Sequence, residues 1–165
     1  MAELTNLETK LGEVIGLAMA GQAATKKVIG LAKEDDPSLV NALQRIHDEA
    51  VETEERGTEL AGTFEGKKTA ILDEARTVKA KGAEMMKTYL DAESDALDGF
   101  EFLTMAEAGE VGHWQVLRTL NESARHPQLR ALIEWALPIQ ERHLQEALQG
   151  STKLAAEEDP NAPSA

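Results

Sequence analysis

The chain has 165 residues, with 30 acidic and 17 basic side chains, for a formal charge of −13 and a pI near 4.7. That size suits one domain, and the acidity argues against binding nucleic acid through its phosphates. The absence of cysteine excludes a disulfide scaffold, a thiolate metal site and a cysteine nucleophile.

Apolar residues make up 42% and aromatics only 4%, a balance that suits a helical core of Ala, Leu, Val, Ile and Met. The first residues lack a basic region followed by an apolar stretch, and no apolar run is long enough to span a bilayer. The expectation is a soluble, cytoplasmic protein with no membrane partner.

Helical periodicity runs from end to end. Leu4, Leu7, Leu11, Val14, Ala18, Gly21, Thr25, Val28 and Leu31 step by threes and fours, which predicts a helix over 3–33. Asp36-Pro37 offers an N-cap and a first-turn proline for a second helix, with Leu39, Leu43, Ile46, Ala50, Thr53, Gly57, Leu60 and Phe64 as its seam. The stretch 67–92 predicts one or two shorter helices, interrupted near Gly82. A third long helix is expected over 95–123, on Phe100, Leu103, Ala106, Glu107, Glu110, Trp114, Leu117 and Leu120. After Arg125-His126-Pro127 a fourth carries Leu129, Leu132, Ile133, Ala136, Gln140, His143, Leu144 and Leu148, with Pro138 expected to kink it.

Two long hairpins joined by a crossover predict a four-helix bundle. Asp36-Pro37-Ser38-Leu39 and His126-Pro127-Gln128-Leu129 echo each other at an offset of 90 residues, a faint sign that the hairpins are related.

No phosphate loop, dinucleotide fingerprint, nucleophile elbow or His-Glu-x-x-His helix is present. The remaining leads are polar residues on seams that should be apolar. Glu107 and Glu110 share the inner face of the third long helix, where an ionised carboxylate needs a partner. His113 follows Glu110 at the Glu-x-x-His spacing by which one helix offers two ligands to a di-metal centre. Gln140 and His143 lie three apart on the last helix, and Glu49, Glu52 and Arg56 follow one stripe of the second.

Plainer readings stand beside these. They place His113 at the solvent edge and make Gln140 with His143 a hydrogen-bonded polar spot. Glu54, Glu55 and Glu59 become a solvated face with Glu52 as the exception, His47 and His126 are solvated, and Met85-Met86 fill gaps in the core.

Glu52-Thr53-Glu54-Glu55-Arg56-Gly57-Thr58-Glu59-Leu60 resembles the E-T-x-x-Q-x-x-R-L stretch of the YciE/YciF group of ferritin-like proteins. Ala96-Leu97-Asp98-Gly99-Phe100, Ala106 through Leu120, and Leu132-Ile133-Glu134-Trp135-Ala136-Leu137 are similar to that group's third- and fourth-helix patterns. The resemblance spans residues 11–148 and implies an all-α ferritin-like four-helix bundle of two long hairpins with a helical crossover. It further implies a dimer and a link to stress responses, without an established reaction. The expected organisation is a bundle over 1–150 and an acidic C-terminal tail over 151–165.

The chain departs from the group's pattern where metal ligands would fall. Ala20 stands at the first-helix glutamate, Glu49 at the second-helix histidine and Arg56 at a glutamine, while Pro138-Ile139-Gln140 replaces the last acidic pair. Glu52, Glu107 and Glu110 carry over unchanged.

The expected function is therefore a stress-related ferritin-like bundle with a degenerate di-metal site, non-enzymatic and without a cofactor. In the alternative, Glu49, Glu52, Glu107, Glu110 and His143 hold iron or manganese. Two further expectations follow. Arg56 should occupy the metal's place by pairing with Glu107 and Glu110. One of the bulky Trp114 and Trp135 should lie at a homodimer contact.

Overall fold

Two reciprocal capping boxes start the long helices. Thr5 and Glu8 bond each other's backbone N–H groups at the start of helix α1 (Asn6–Asp35). Asp95 and Asp98 do the same for α4 (Ala96–Ala124). The computed structural model describes residues 2–163.

Asp36 accepts from the Ser38 N–H at 2.9 Å and leads through a 3-10 turn, Pro37–Leu39, into α2 (Val40–Ala61). The matching signal opens α5 (Pro127–Ala155), where the His126 ring accepts from the Leu129 N–H at 3.2 Å and Pro127 takes the first helical position. Gly66, at φ +71°, turns the chain between α2 and α3 (Lys68–Tyr89).

The described residues hold five α-helices and no strand. Helices α1 and α2 form one hairpin and α4 and α5 the other; α1 lies against α4 and α2 meets α5, so the four close a ring. Helix α3 packs along α1. It is one unbroken helix, contrary to the interruption expected near Gly82, and the glycine serves packing instead. A Cβ on Gly82 would stand 2.6 Å from the Ala20 Cβ, so the residue lets α3 approach α1 closely.

The core falls into two apolar clusters. One gathers Leu11, Val14, Ile15, Leu60, Ile71, Trp114, Leu117, Leu129 and Ile133. The other gathers Val28, Leu43, Phe100, Leu103 and Ala147. Between them, at mid-height of α1, α2, α4 and α5, the interior turns polar with Thr25, Thr53, Glu107, Glu110, Gln140 and His143.

Trp114 is enclosed in the first cluster at 1% exposure, so its bulk does not require a subunit contact. Trp135 is partly buried against the same cluster. Helix α5 continues five residues past the boundary expected at 150, with Ser151 and Leu154 buried, because Leu154 joins the second cluster. The last two residues of the expected tail, Ser164 and Ala165, lie outside the described residues. No helix among the described residues is long and apolar enough to cross a membrane.

Candidate functional site in the polar layer

Glu107 and Glu110 reach the interior from α4 because three residues turn a helix by little less than a full revolution. Both are buried, at 2% and 5% exposure, but their surroundings differ. One oxygen of Glu107 accepts from the Gln140 side-chain amide of α5. The same oxygen lies 3.6 Å from His143 Nδ1. The other ring nitrogen of His143, Nε2, lies 3.2 Å from Glu49 Oε2 on α2, so the imidazole links two carboxylates on two helices.

Glu49 is held from outside as well. Arg142 donates to the oxygen that His143 meets, and Arg45 Nε lies 3.9 Å from the other. Both arginines also reach Glu146 Oε1, Arg45 in direct contact and Arg142 Nε at 3.9 Å. Two arginines thus face two glutamates across the α2–α5 seam, backed by the His143–Glu107–Gln140 chain. The second Glu146 oxygen is buried without a hydrogen-bond partner, as is Trp114 Nε1.

Glu110 has no such support. No described residue makes a hydrogen bond to its carboxyl, which is directed at α1, where a Cβ on Gly21 would lie 2.9 Å from Oε1. Burial foremost, and the neighbouring Glu107 charge after it, push its carboxyl well above the usual range.

Several candidates lie elsewhere. Glu52 is half-exposed and binds Arg56 on its own helix, at 3.0 Å from Nε and 2.7 Å from the guanidinium end. The ion pair expected between Arg56 and Glu107 with Glu110 is therefore corrected. The inward stripe of α2 passes through Thr53, Gly57 and Leu60, and it is Gly57 that faces Ile15. Arg56, one residue earlier, turns outward and lays its guanidinium 4.2 Å from the Trp135 ring centroid. Its exposed pair with Glu52 is worth less than about 1 kcal/mol.

His113 also points away from the layer. Its Nδ1 lies 3.1 Å from Glu13 on α1 and 3.3 Å from Lys10, with the side chain 41% exposed, so Glu110 and His113 do not converge. Of the five proposed ligands, Glu49, Glu107 and His143 come together, while Glu52 and Glu110 face other surroundings.

The three that meet already have partners within the protein. The Glu107 oxygen accepts from Gln140, His143 Nε2 is in hydrogen-bond contact with Glu49, and a guanidinium also occupies Glu49. No group of three or more metal-binding side chains is arranged for an ion among the described residues. Arg45, Arg142 and Glu146 complete the network and are absent from the expected set. Their signal was present as two acid–arginine pairs at i,i+4 spacing, Arg45–Glu49 and Arg142–Glu146, on helices that face each other.

No family model, curated protein or solved structure matches the chain.

Proposed function

We propose that this protein is a metal-independent, non-enzymatic bundle of the ferritin-like kind, acting through binding, with a hydrogen-bonded ion-pair layer where a di-metal centre would lie. The observation that carries this reading is the occupation of Glu107 by Gln140 and His143, together with that of Glu49 by His143 and Arg142. Buried carboxylates are stable only when paired, hydrogen-bonded or coordinated, and here the protein's own donors fill that need. A divalent ion would have to displace an arginine and strip two hydrogen bonds while gaining few ligands.

The resemblance of α2 and α4 to the YciE/YciF group supports the architecture, a stress-related setting and a homodimer. A cysteine-free acidic chain fits the cytoplasm. The exposed apolar side chains Met85, Tyr89, Met105, Val116 and Leu148 offer surface for self-association.

The test is elemental analysis of tag-free protein, followed by anaerobic Fe²⁺ and Mn²⁺ titration with a melting scan. The reading expects substoichiometric metal and no rise in melting temperature. Stoichiometric iron or manganese that raises the melting temperature would overturn it, because an ion bound only by the native state must stabilise that state.

A further inference from the structure

A pocket of about 260 Å³ opens between α1, α3 and α4. Ala20, Ala24, Gly82, Met86, Phe102 and Ala106 supply apolar walls. Only one buried polar side chain belongs to the lining, the carboxyl of Glu110, which no described residue contacts by a hydrogen bond. Small residues on three helices keep this space open, and Gly21 leaves room for the carboxyl.

A buried carboxyl without a protein donor is costly to ionise, by about 1–3 kcal/mol or more, and the apolar walls of the pocket supply no donor. An enclosed apolar volume of about 150 Å³ holds benzene, whereas drug-sized ligands occupy roughly 300–1,000 Å³. The volume here lies between, so it suits one ring or short branched chain with a small polar head.

We propose that this pocket binds a small amine: a compact apolar body seated between α1, α3 and α4, with its basic nitrogen hydrogen-bonded to Glu110.

Charge complementarity selects the amine over other heads. Glu107 lies beside Glu110 on the same helix face, and the chain as a whole carries −13. A cationic head offsets the charge of this pair of acids, while a carboxylate head would add a third acidic group beside them. The contact does not depend on which partner holds the proton before binding. An amine meeting a carboxylic acid takes its proton, an ammonium meeting a carboxylate keeps its own, and both end as the same N–H···O pair. Lys79 and His113 also line the pocket, but both are at least partly exposed, and His113 is engaged by Glu13. They leave the buried end to Glu110.

This deepens the binding reading above, and the experiment is run in chelator so that its failure leaves the question of metal untouched. 2-Phenylethylamine is titrated into the full chain by calorimetry and by two-dimensional amide NMR. Propylbenzene serves as the apolar isostere and 3-phenylpropionate as the anionic one. The expected result is saturable binding of the amine, amide shifts at Gly21, Gly82 and Gly109, and at least tenfold weaker binding of both isosteres. Glu110→Gln, which keeps the shape, should weaken the amine at least tenfold and leave propylbenzene unchanged. No saturable amine binding, equal affinity for an isostere, or an unchanged amine affinity in Glu110→Gln would each overturn the proposal. Circular dichroism and the melting temperature of the variant confirm that it is folded for the comparison.

Discussion

Replacing Gln140 by Leu tests whether the polar layer holds itself together. The two side chains have similar volume, so the change removes the amide without opening a large cavity. Gln140 is buried, at 4% exposure, and its amide donates to a Glu107 carboxyl exposed by only 2%. A hydrogen bond to a charged group contributes about 1.5–3 kcal/mol, and leaving a buried acceptor without its donor costs about 1–3 kcal/mol. His143 remains 3.6 Å from Glu107, but it is shared with Glu49 and cannot fully replace the amide. The expected loss is about 2–3 kcal/mol at pH 7, or ~4–12 °C in melting temperature for a domain of this size.

Urea denaturation followed by tryptophan fluorescence and far-UV circular dichroism, in chelator, measures the loss. Glu107→Leu should also destabilise, by about 1–3 kcal/mol, since it strands the Gln140 amide. The double variant removes both groups and should lose less than the sum of the singles, with a coupling energy of ~1 kcal/mol or more. A Gln140→Leu variant within about 0.5 kcal/mol of the parent would refute the reasoning, because so small a loss is typical of a surface position.

Further outcomes are expected. Glu110→Gln should stabilise the protein at neutral pH: the folded chain holds a proton that the unfolded chain releases near 4.5, so stability falls as pH climbs above that value. Denaturation across pH should show that slope in the parent and lose it in the variant, with the two alike in acid. Asp36, held down to about 2 mainly by its hydrogen bond from Lys153, should titrate nearer 3.8 in Lys153→Met by NMR; the stability it lends is full above the ordinary value and lost as pH falls toward 2. Gly150→Ala places a Cβ 2.2 Å from the Phe100 ring and should cost about 1–3 kcal/mol by overpacking, less the ~1 kcal/mol of helix propensity gained. Gly30→Ala, with open space around it, should show only that gain; equal effects of the two glycine substitutions in thermal melts would undo the packing assignments.

The helices were legible because their punctuation is chemical. Asp36-Pro37 and His126-Pro127 each pair a capping side chain with a residue that lacks the N–H a helix start leaves unused. Gly82 misled because a glycine inside a helical pattern reads as a breaker, while its service here is to another helix. The enclosure of Trp114 was not legible from one helix, because α3 widens the first cluster, where Ile71 and Ala75 join it. Arg56 shows the limit of reading a stripe by eye. Its 100° offset from Gly57 puts it outside the seam, and the Trp135 face that receives it belongs to a helix eighty residues away. Glu107, Glu110, Gln140 and His143 were found as polar residues on apolar seams, but no pattern within one helix says which partner each will meet.

That choice of partner gives the two neighbouring glutamates different chemistry. Glu107 and Glu110 have the same side chain, the same helix and nearly the same burial. Helix α5 brings Glu107 an amide and an imidazole, so its carboxyl becomes one link in a chain running through His143 to Glu49 and the arginines. Helix α1 brings the Glu110 carboxyl up to Gly21 and lines the pocket around it with side chains such as Ala20 and Ala24, which have nothing to donate and make room instead. Small residues on α1 and a neutral amide on α5 therefore act together on one pair of acids. The amide closes one acid against any further ligand, and the small residues leave the other open to a ligand from outside. A glutamate at position 20 would intrude on the pocket and bring a third carboxyl beside the other two. With alanine there, Glu110 faces a space walled by apolar side chains, and in the reading proposed above that space takes an apolar body with a basic head.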